Sequence, residues 1–300
     1  MCFHDIAEDQ IRMRRVINTL FIIILSILTV VTLAALAFVI IFIVKEALPT
    51  FDDVSLGEFL FTAGWMPVEG LGIKVQFGIF NFIAATVYVS FLAMLIAVAV
   101  GVGASLYLSC VASERMRGLM YPFIDLLAGI PSVVYGFIGL TVLVRIFLRA
   151  GVHTGSCVLA AAIVLAVMLL PYLVSSCSET LLKNKEAYLL AGTALGADKW
   201  YTISAVVLPA SWKNILAAMI LAIGRAMGET MAVMMVMGNA NIFPRLLGKS
   251  ESIAALIALE MGTAVNGSTH FHALYAAGLV LIIILLIINI GINIVRRKLL

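Results

Sequence analysis

The stretch VINTLFIIILSILTVVTLAALAFVIIFIV, residues 16–44, holds no charged residue. It is longer than the about 20 residues that cross roughly 30 Å of hydrocarbon as a helix. Arg12, Arg14 and Arg15 stand before it. Its length exceeds the apolar core of a secretory signal, so it reads as an uncleaved first span. Outward from it, further apolar runs lie at residues 77–109, 121–147, 157–177, 215–237 and 274–295, giving six crossings. Over the 300 residues, 63% are apolar and 12% charged, with a mean hydropathy of +1.16. That leaves too little polar surface for a water-soluble globule. The expected class is an all-α polytopic membrane protein with six transmembrane helices.

Six crossings bring both termini to one side. Placing that side in the cytoplasm puts Arg115, Arg117, Lys183, Lys185, Lys199 and Lys213 inside with the bases of both ends, while Lys45, Lys74, Arg145, Arg149, Arg245 and Lys249 fall outside. This is the positive-inside asymmetry. The chain then divides into a cytoplasmic N-terminus (1–15), a first span (16–44), an extracytoplasmic loop (45–76), a five-span core (77–295) and a basic C-terminus (296–300). A long inner segment, 178–213, lies within the core. In the outer loop Glu46, Asp52, Asp53, Glu58 and Glu69 face Lys45 and Lys74, with Trp65 and Pro67 suggesting a structured, interface-touching piece. Residues 251–261 place Ile253, Leu256, Ile257 and Glu260 at helical spacing, as in a short surface or re-entrant helix.

A net charge of +3 gives no reason to expect a nucleic-acid partner. Cys2, Cys110, Cys157 and Cys177 have no CxxC spacing and read as small apolar fillers, and His270 and His272, two apart, are a weak metal signal. The sequence contains neither a GxxxxGK(S/T) loop nor a GxSxG elbow, so the chain reads as a non-enzyme without a cofactor, with any energy source on another subunit.

Three strings carry the functional reading. LAGTALGADKWYTISAVVLP, residues 190–209, has Gly196 followed at fixed spacing by Leu208 and Pro209. This resembles the coupling motif of ABC-importer permeases, two short cytoplasmic helices with a turn at the Gly. Ala191, Gly196, Leu208 and Pro209 match that pattern, while Leu190 stands for the family Glu and Gly192 for its second Ala. Gly196 supplies a backbone free to turn, Pro209 is expected to stop the second short helix, and Leu195, Trp200 and Tyr201 suit a partner's groove. The second string, DLLAGIPSVVYG (125–136), interrupts an apolar span with Gly129 and Pro131. Pro131 strips a carbonyl of its helical donor, a loss that neighbouring helices, Ser132 or a water-filled path would make good. The third, GRAMGETMAVMMVMGN (224–239), puts Arg225 and Glu229 four apart on one helix face. Arg225 falls about 16 Å into the bilayer counting from Asn214, where a charge needs protein or water beside it. The pair is either a packing salt bridge or a polar station for a passing oxyanion, with Glu229 holding and neutralising Arg225.

The second and third strings look like those of phosphate ABC-transporter permeases, the third like the PstC type, and the likeness runs from the first span to the end of the last. It implies the type I ABC importer permease fold with cytoplasmic termini, in a bacterial inner membrane. It also implies a PstA-like second permease, two copies of a PstB-like cytosolic ATPase and a PstS-like extracytoplasmic phosphate-binding protein. ATP would be hydrolysed on the partner and phosphate moved by alternating access through Arg225 and Glu229. An ABC permease for molybdate or sulfate is the nearest alternative. An ion-coupled carrier, with Glu229 and Asp125 binding a cation, is a further one; no second Gly-Pro break marks a repeated half as such carriers often show.

Overall fold

The computed structural model describes residues 2–67 and 75–298. Glu69 and Lys74 of the outer loop lie outside these residues, as do the side chains of Arg12, Arg15, Arg296, Arg297 and Lys298. Helix α1 (Cys2–Ala47) carries the first apolar run unbroken, since neither Gly nor Pro interrupts it. Its apolar window is wholly exposed at a mean hydropathy of 3.1, a lipid-facing surface. The outer segment is folded: α2 (Thr50–Asp53), then α3 (Leu56–Phe61), whose cap Ser55 accepts from the Glu58 amide at 3.2 Å, then a two-stranded antiparallel hairpin. Strands β1 (Trp65–Met66) and β2 (Gln76–Phe77) set Trp65 opposite Phe77.

Helix α4 (Phe80–Leu106) runs on through a π-helical turn, Tyr107–Val111. After it come α5 (Glu114–Ala128), α6 (Ser132–Ile138), a second π turn (Gly139–Leu143) and α7 (Val144–Arg149). Helix α8 (Val158–Ala194) is 37 residues long. It is followed by α9 (Lys199–Thr202), a third π turn (Ile203–Val207), α10 (Leu208–Gly228) and α11 (Met231–Met237). Helices α12 (Ile253–Glu260) and α13 (Thr269–Lys298) complete the chain. Six of these stretches are long and apolar enough to span a membrane.

Helix α8 is the axis of the main core. From Val158 to Ser178 its residues are buried nearly all round, which a helix reaches only when neighbours cover every face. One neighbour is α4, which turns Ala85, Val89, Ala93 and Ala97 inward at every fourth position, so small side chains let the two helices approach. A second core at the outer end joins Phe59, Trp65, Phe77 and Phe82 to α12 and α13, and Phe42 of α1 meets Tyr275 of α13 edge to face at 5.7 Å.

Four expectations change. The apolar run 121–147 is not one span: α5 buries no side chain, and the crossing piece is Ser132–Arg149. The inner segment 178–213 is not a loop, since α8 continues through it to Ala194 and the next span starts at Lys199. Pro209 stops no helix. It sits at the start of α10, where the preceding π turn already departs from the i→i−4 ladder that a proline would break. Trp65 is buried, its indole held inside the outer core, so it does not touch the interface.

Candidate functional site

The expected Arg225–Glu229 helix pair does not form. Helix α10 ends at Gly228, and Glu229 is extended (φ −73°, ψ 118°), so the two side chains no longer share a helical face. Glu229 Oε1 instead accepts from the Ala232 amide at 3.3 Å, satisfying an orphan donor in the first turn of α11. Arg225 is left exposed on α10. Among the described residues the ion pairs are His270–Glu260 and His272–Glu46, and Arg225 is in neither. Its charge lies within electrostatic reach of the hydroxyls of Tyr135 on α6 and Tyr172 on α8.

The break at Gly129 and Pro131 is closed by a group the sequence reading did not name. Pro131 cannot donate to the Leu127 carbonyl, four residues back. That oxygen accepts from the Ile130 amide at 3.2 Å and from the Tyr135 hydroxyl at 2.8 Å, so the repair comes from Tyr135, one turn beyond the proline, and not from Ser132. The available signal was spacing: Tyr135 is the first hydroxyl after Ser132 that a single helical turn carries back over the break.

A second break, without proline, falls at Glu229 and Thr230 between α10 and α11. The two breaks are brought together. A Cβ on Gly136 of α6 would stand 2.9 Å from the Ala232 Cα and 3.3 Å from the Met231 carbonyl, so α6 and α11 touch backbone to backbone only because residue 136 has no side chain.

At the inner end, α8 closes with Leu195 as its last cap and Gly196 in the left-handed region (φ +76°). The Ala197 amide donates to the Gly192 carbonyl at 2.9 Å and the Gly196 amide to that of Thr193 at 3.0 Å, the paired bonds of a Schellman end. Asp198 then caps α9, its Oδ2 accepting from the Trp200 amide at 2.8 Å. Gly192 is set by contact: a Cβ there would lie 2.6 Å from Thr202 Oγ1. Around this tip Leu190 and Leu195 are 77% and 87% exposed, with Trp200 and Tyr201 beside them. Ala191 and Pro209 are exposed and Leu208 is half-buried. The tip is tied down behind: Lys185 Nζ donates to the Ser109 carbonyl at 2.9 Å, and Asn184 Nδ2 to Ser211 Oγ at 2.8 Å.

At the outer end the two histidines are engaged. Glu260 Oε2 accepts from Trp65 Nε1 at 2.8 Å and lies 2.8 Å from His270 Nε2, while His272 Nδ1 lies 2.8 Å from the Glu46 carbonyl oxygen. Nearby Glu251 is buried, and its carboxyl is pushed up to about 7 by burial first and by the charge of Glu260 second. Cys110, Cys157 and Cys177 are buried free thiols.

Residues 98–300 match the model of the family described as binding-protein-dependent transport system inner membrane component. The chain belongs to that family. Among relatives of this permease, a probable ABC transporter permease protein, YqgH, of Bacillus subtilis (strain 168) is 34% identical over 281 residues, covering 92% of this chain and 87% of that one. The phosphate transport system permease protein PstC of Xylella fastidiosa (strain Temecula1) is 35% identical over 278 residues, 84% of each. The probable PstC of Methanocaldococcus jannaschii is 30% identical over 272 residues, 84% of this chain and 85% of its own. In fold the permease is similar to a chain of the inward-facing MetNI methionine ABC transporter, with a TM-score of 0.57 at 16% identity over 72% of this chain and 93% of the other. The protein is thus an ABC importer permease subunit of the type I fold, a multi-pass membrane component.

Proposed function

We propose that this permease is the PstC-like subunit of an ATP-driven importer that moves inorganic phosphate into the bacterial cytoplasm by alternating access. Its partners are a PstA-like permease, two PstB-like ATPases and a PstS-like binding protein. The observation that carries the reading is Arg225: a guanidinium on a spanning helix, exposed, without a carboxylate partner among the described residues, and within reach of two tyrosine hydroxyls. A permanent packing pair would have occupied it. A vacant fork of N–H donors suits a tetrahedral oxyanion. Glu229 acts on the path through the second break, fixing the start of α11 beside Arg225. The tip from Ala191 and Gly192 through Leu195 and Gly196 to Leu208 and Pro209 is the docking end for the ATPase. Its Leu190 replaces a carboxylate contact with an apolar one. The opening at Gly129 and Pro131 supplies the other moving edge of the path.

The PstC relatives favour phosphate over molybdate or sulfate, and family membership sets the ion-coupled carrier aside. The test is uptake into vesicles holding all four components. Arg225→Gln is expected to leave assembly and ATP hydrolysis in place and to lower phosphate uptake at least about tenfold, the loss of one charge-assisted contact. Gly196→Asp is expected to separate hydrolysis from uptake. Undiminished phosphate uptake by Arg225→Gln refutes the proposal.

A further inference from the structure

On the inner side of Arg225 the structure holds a cavity of about 410 Å³ between α8 and α10, and most of its lining side chains are polar or charged. From α8 come Ser176, Glu179, Thr180, Lys183 and Asn184; from α10 comes Asn214, with Ala217, Ala218 and Leu221 above it. Both sets follow one helical face. On α8 the spacing from Tyr172 through Ser176 and Thr180 to Lys183 is i, i+4, i+8, i+11, and on α10 Asn214, Ala218, Leu221 and Arg225 stand at i, i+4, i+7, i+11. The cavity therefore runs along this face from Lys183 and Asn214 to Ser176 and Leu221, and the same face reaches Tyr172 and Arg225 one turn further on, Arg225 standing about 16 Å along the helix from Asn214. Its volume has room for a small oxyanion with roughly ten waters. Past Ser178 the helix carries charge as it leaves the hydrocarbon, so these side chains line the inner mouth between α8 and α10.

The charges in this cavity are not spent on each other. Glu179 and Lys183 are four apart and exposed, yet among the described residues neither enters an ion pair. The uncharged groups are anchored: Thr180 Oγ1 donates to the Ser176 carbonyl at 3.4 Å, and Asn184 is held by Ser211.

We propose that this cavity is the inner half of the anion path, with Lys183 receiving the oxyanion after Arg225 and Glu179 keeping it from staying. The inference rests on the reading that Arg225 meets the substrate. A site that passes an ion must attract it enough to enter and weakly enough to leave. A lysine ammonium offers a point charge without Arg225's rigid fork, and a carboxylate four residues away lowers the local potential, so the second station is the weaker one. Substrate then runs from a strong site at mid-span to a weak one at the exit.

The test uses the four-component complex in vesicles with the ATPase side accessible and phosphate as the probe. Lys183→Gln is expected to lower uptake about tenfold with ATP hydrolysis nearly unchanged, and Glu179→Gln to let phosphate on the ATPase side inhibit uptake at a several-fold lower concentration. The second readout is one that a merely structural role does not produce. Thr180→Cys is expected to react with a membrane-impermeant thiol reagent from the ATPase side, more slowly with phosphate present. Labelling is read against the same complex without Thr180→Cys, both carrying Cys2→Ser, since Cys110, Cys157 and Cys177 are buried. The proposal is overturned if Lys183→Gln transports like the native complex, if it loses hydrolysis and uptake together, or if assembled Thr180→Cys is unreactive because the second permease fills the cavity. Should the native complex carry sulfate or molybdate in place of phosphate, the phosphate assignment fails, while a Lys183→Gln defect measured with that anion still supports the cavity as its exit.

Discussion

Replacing Gly192 with Ala restores the residue that the coupling pattern elsewhere carries, and for an ordinary helical glycine it would stabilise by up to about 1 kcal/mol. Here the sign is expected to reverse. The added Cβ would stand 2.6 Å from Thr202 Oγ1, 3.0 Å from its Cγ2 and 3.4 Å from its Cβ. Thr202 is buried at 2% exposure, and its hydroxyl already donates to the Asp198 carbonyl at 3.0 Å, so it cannot swing away without giving up that bond. Losing the bond costs about 1 kcal/mol, and overpacking adds about 1–3 kcal/mol, which together exceed the propensity gain. Net destabilisation of about 1–3 kcal/mol should therefore appear at the junction of α8 and α9. The assay is a double-mutant cycle of Gly192→Ala with Thr202→Ala, read by thermal unfolding of the purified complex and by amide exchange at residues 192–202. Thr202→Ala removes the two nearest atoms, so the double variant should be more stable than the two single losses added together, with a coupling of about 1 kcal/mol or more. A stabilised Gly192→Ala single variant, or strict additivity in the cycle, refutes the packing argument.

Tyr135→Phe leaves the Leu127 carbonyl with the Ile130 amide alone, so the expected loss is near the lower end of the unsatisfied-group range, about 1 kcal/mol, read as faster amide exchange confined to residues 127–135. Glu251→Gln concerns a carboxyl whose folded value is raised from 4.5 to about 7. Between those values the folded chain holds a proton that the unfolded chain has lost, so native stability falls as pH rises through that window and is flat above it. The amide should abolish this slope and stabilise the outer end above pH 7 by up to about 3 kcal/mol, checked by unfolding at pH 5 and pH 8. A slope that survives in the variant would place the titration elsewhere.

The crossings were legible because lipid enforces a simple rule: a helix in hydrocarbon needs a long apolar run and satisfied backbone groups, and both are written in composition. The short α12 was legible from the spacing of Ile253, Leu256 and Ile257, and Ser252 caps it as its type suggests, accepting from the Ala255 amide at 3.2 Å. The break at Glu229 was not legible. No proline marks it, the single Gly228 beside it is of a kind that helices tolerate, as α10 tolerates Gly224, and the charge spacing of Arg225 and Glu229 imitates a helical pair. What ends α10 is tertiary: α11 must lie against Gly136, and Glu229 reaches forward to cap it. The end of span four was hidden for the opposite reason. Past Ser178 the segment becomes charged, which reads as leaving the membrane, but a helix can leave the membrane without ending, and α8 continues to Ala194.

On the proposed reading of the inner tip as the ATPase dock and of Arg225 as the substrate site, that continuation bears on how the two would communicate. Leu190 and Tyr172 sit on the same helix eighteen residues apart, about 27 Å along its axis. Between them α8 has no glycine or proline, and it is fastened to its neighbours by Lys185 on the Ser109 carbonyl and Asn184 on Ser211. At the upper end the backbone weakens: Pro171 removes one ladder bond beside Tyr172, Pro131 interrupts the ladder between α5 and α6 where Tyr135 reaches back, and Glu229 separates α10 from α11 just past Arg225. Stiffness below and three interrupted ladders around the guanidinium mean that a push on Leu190 and Leu195 travels as rigid-body motion until it reaches the level of Arg225. There the chain is least able to resist it, so on that reading a displacement at the tip would be converted into local rearrangement at that level and not dissipated along α8.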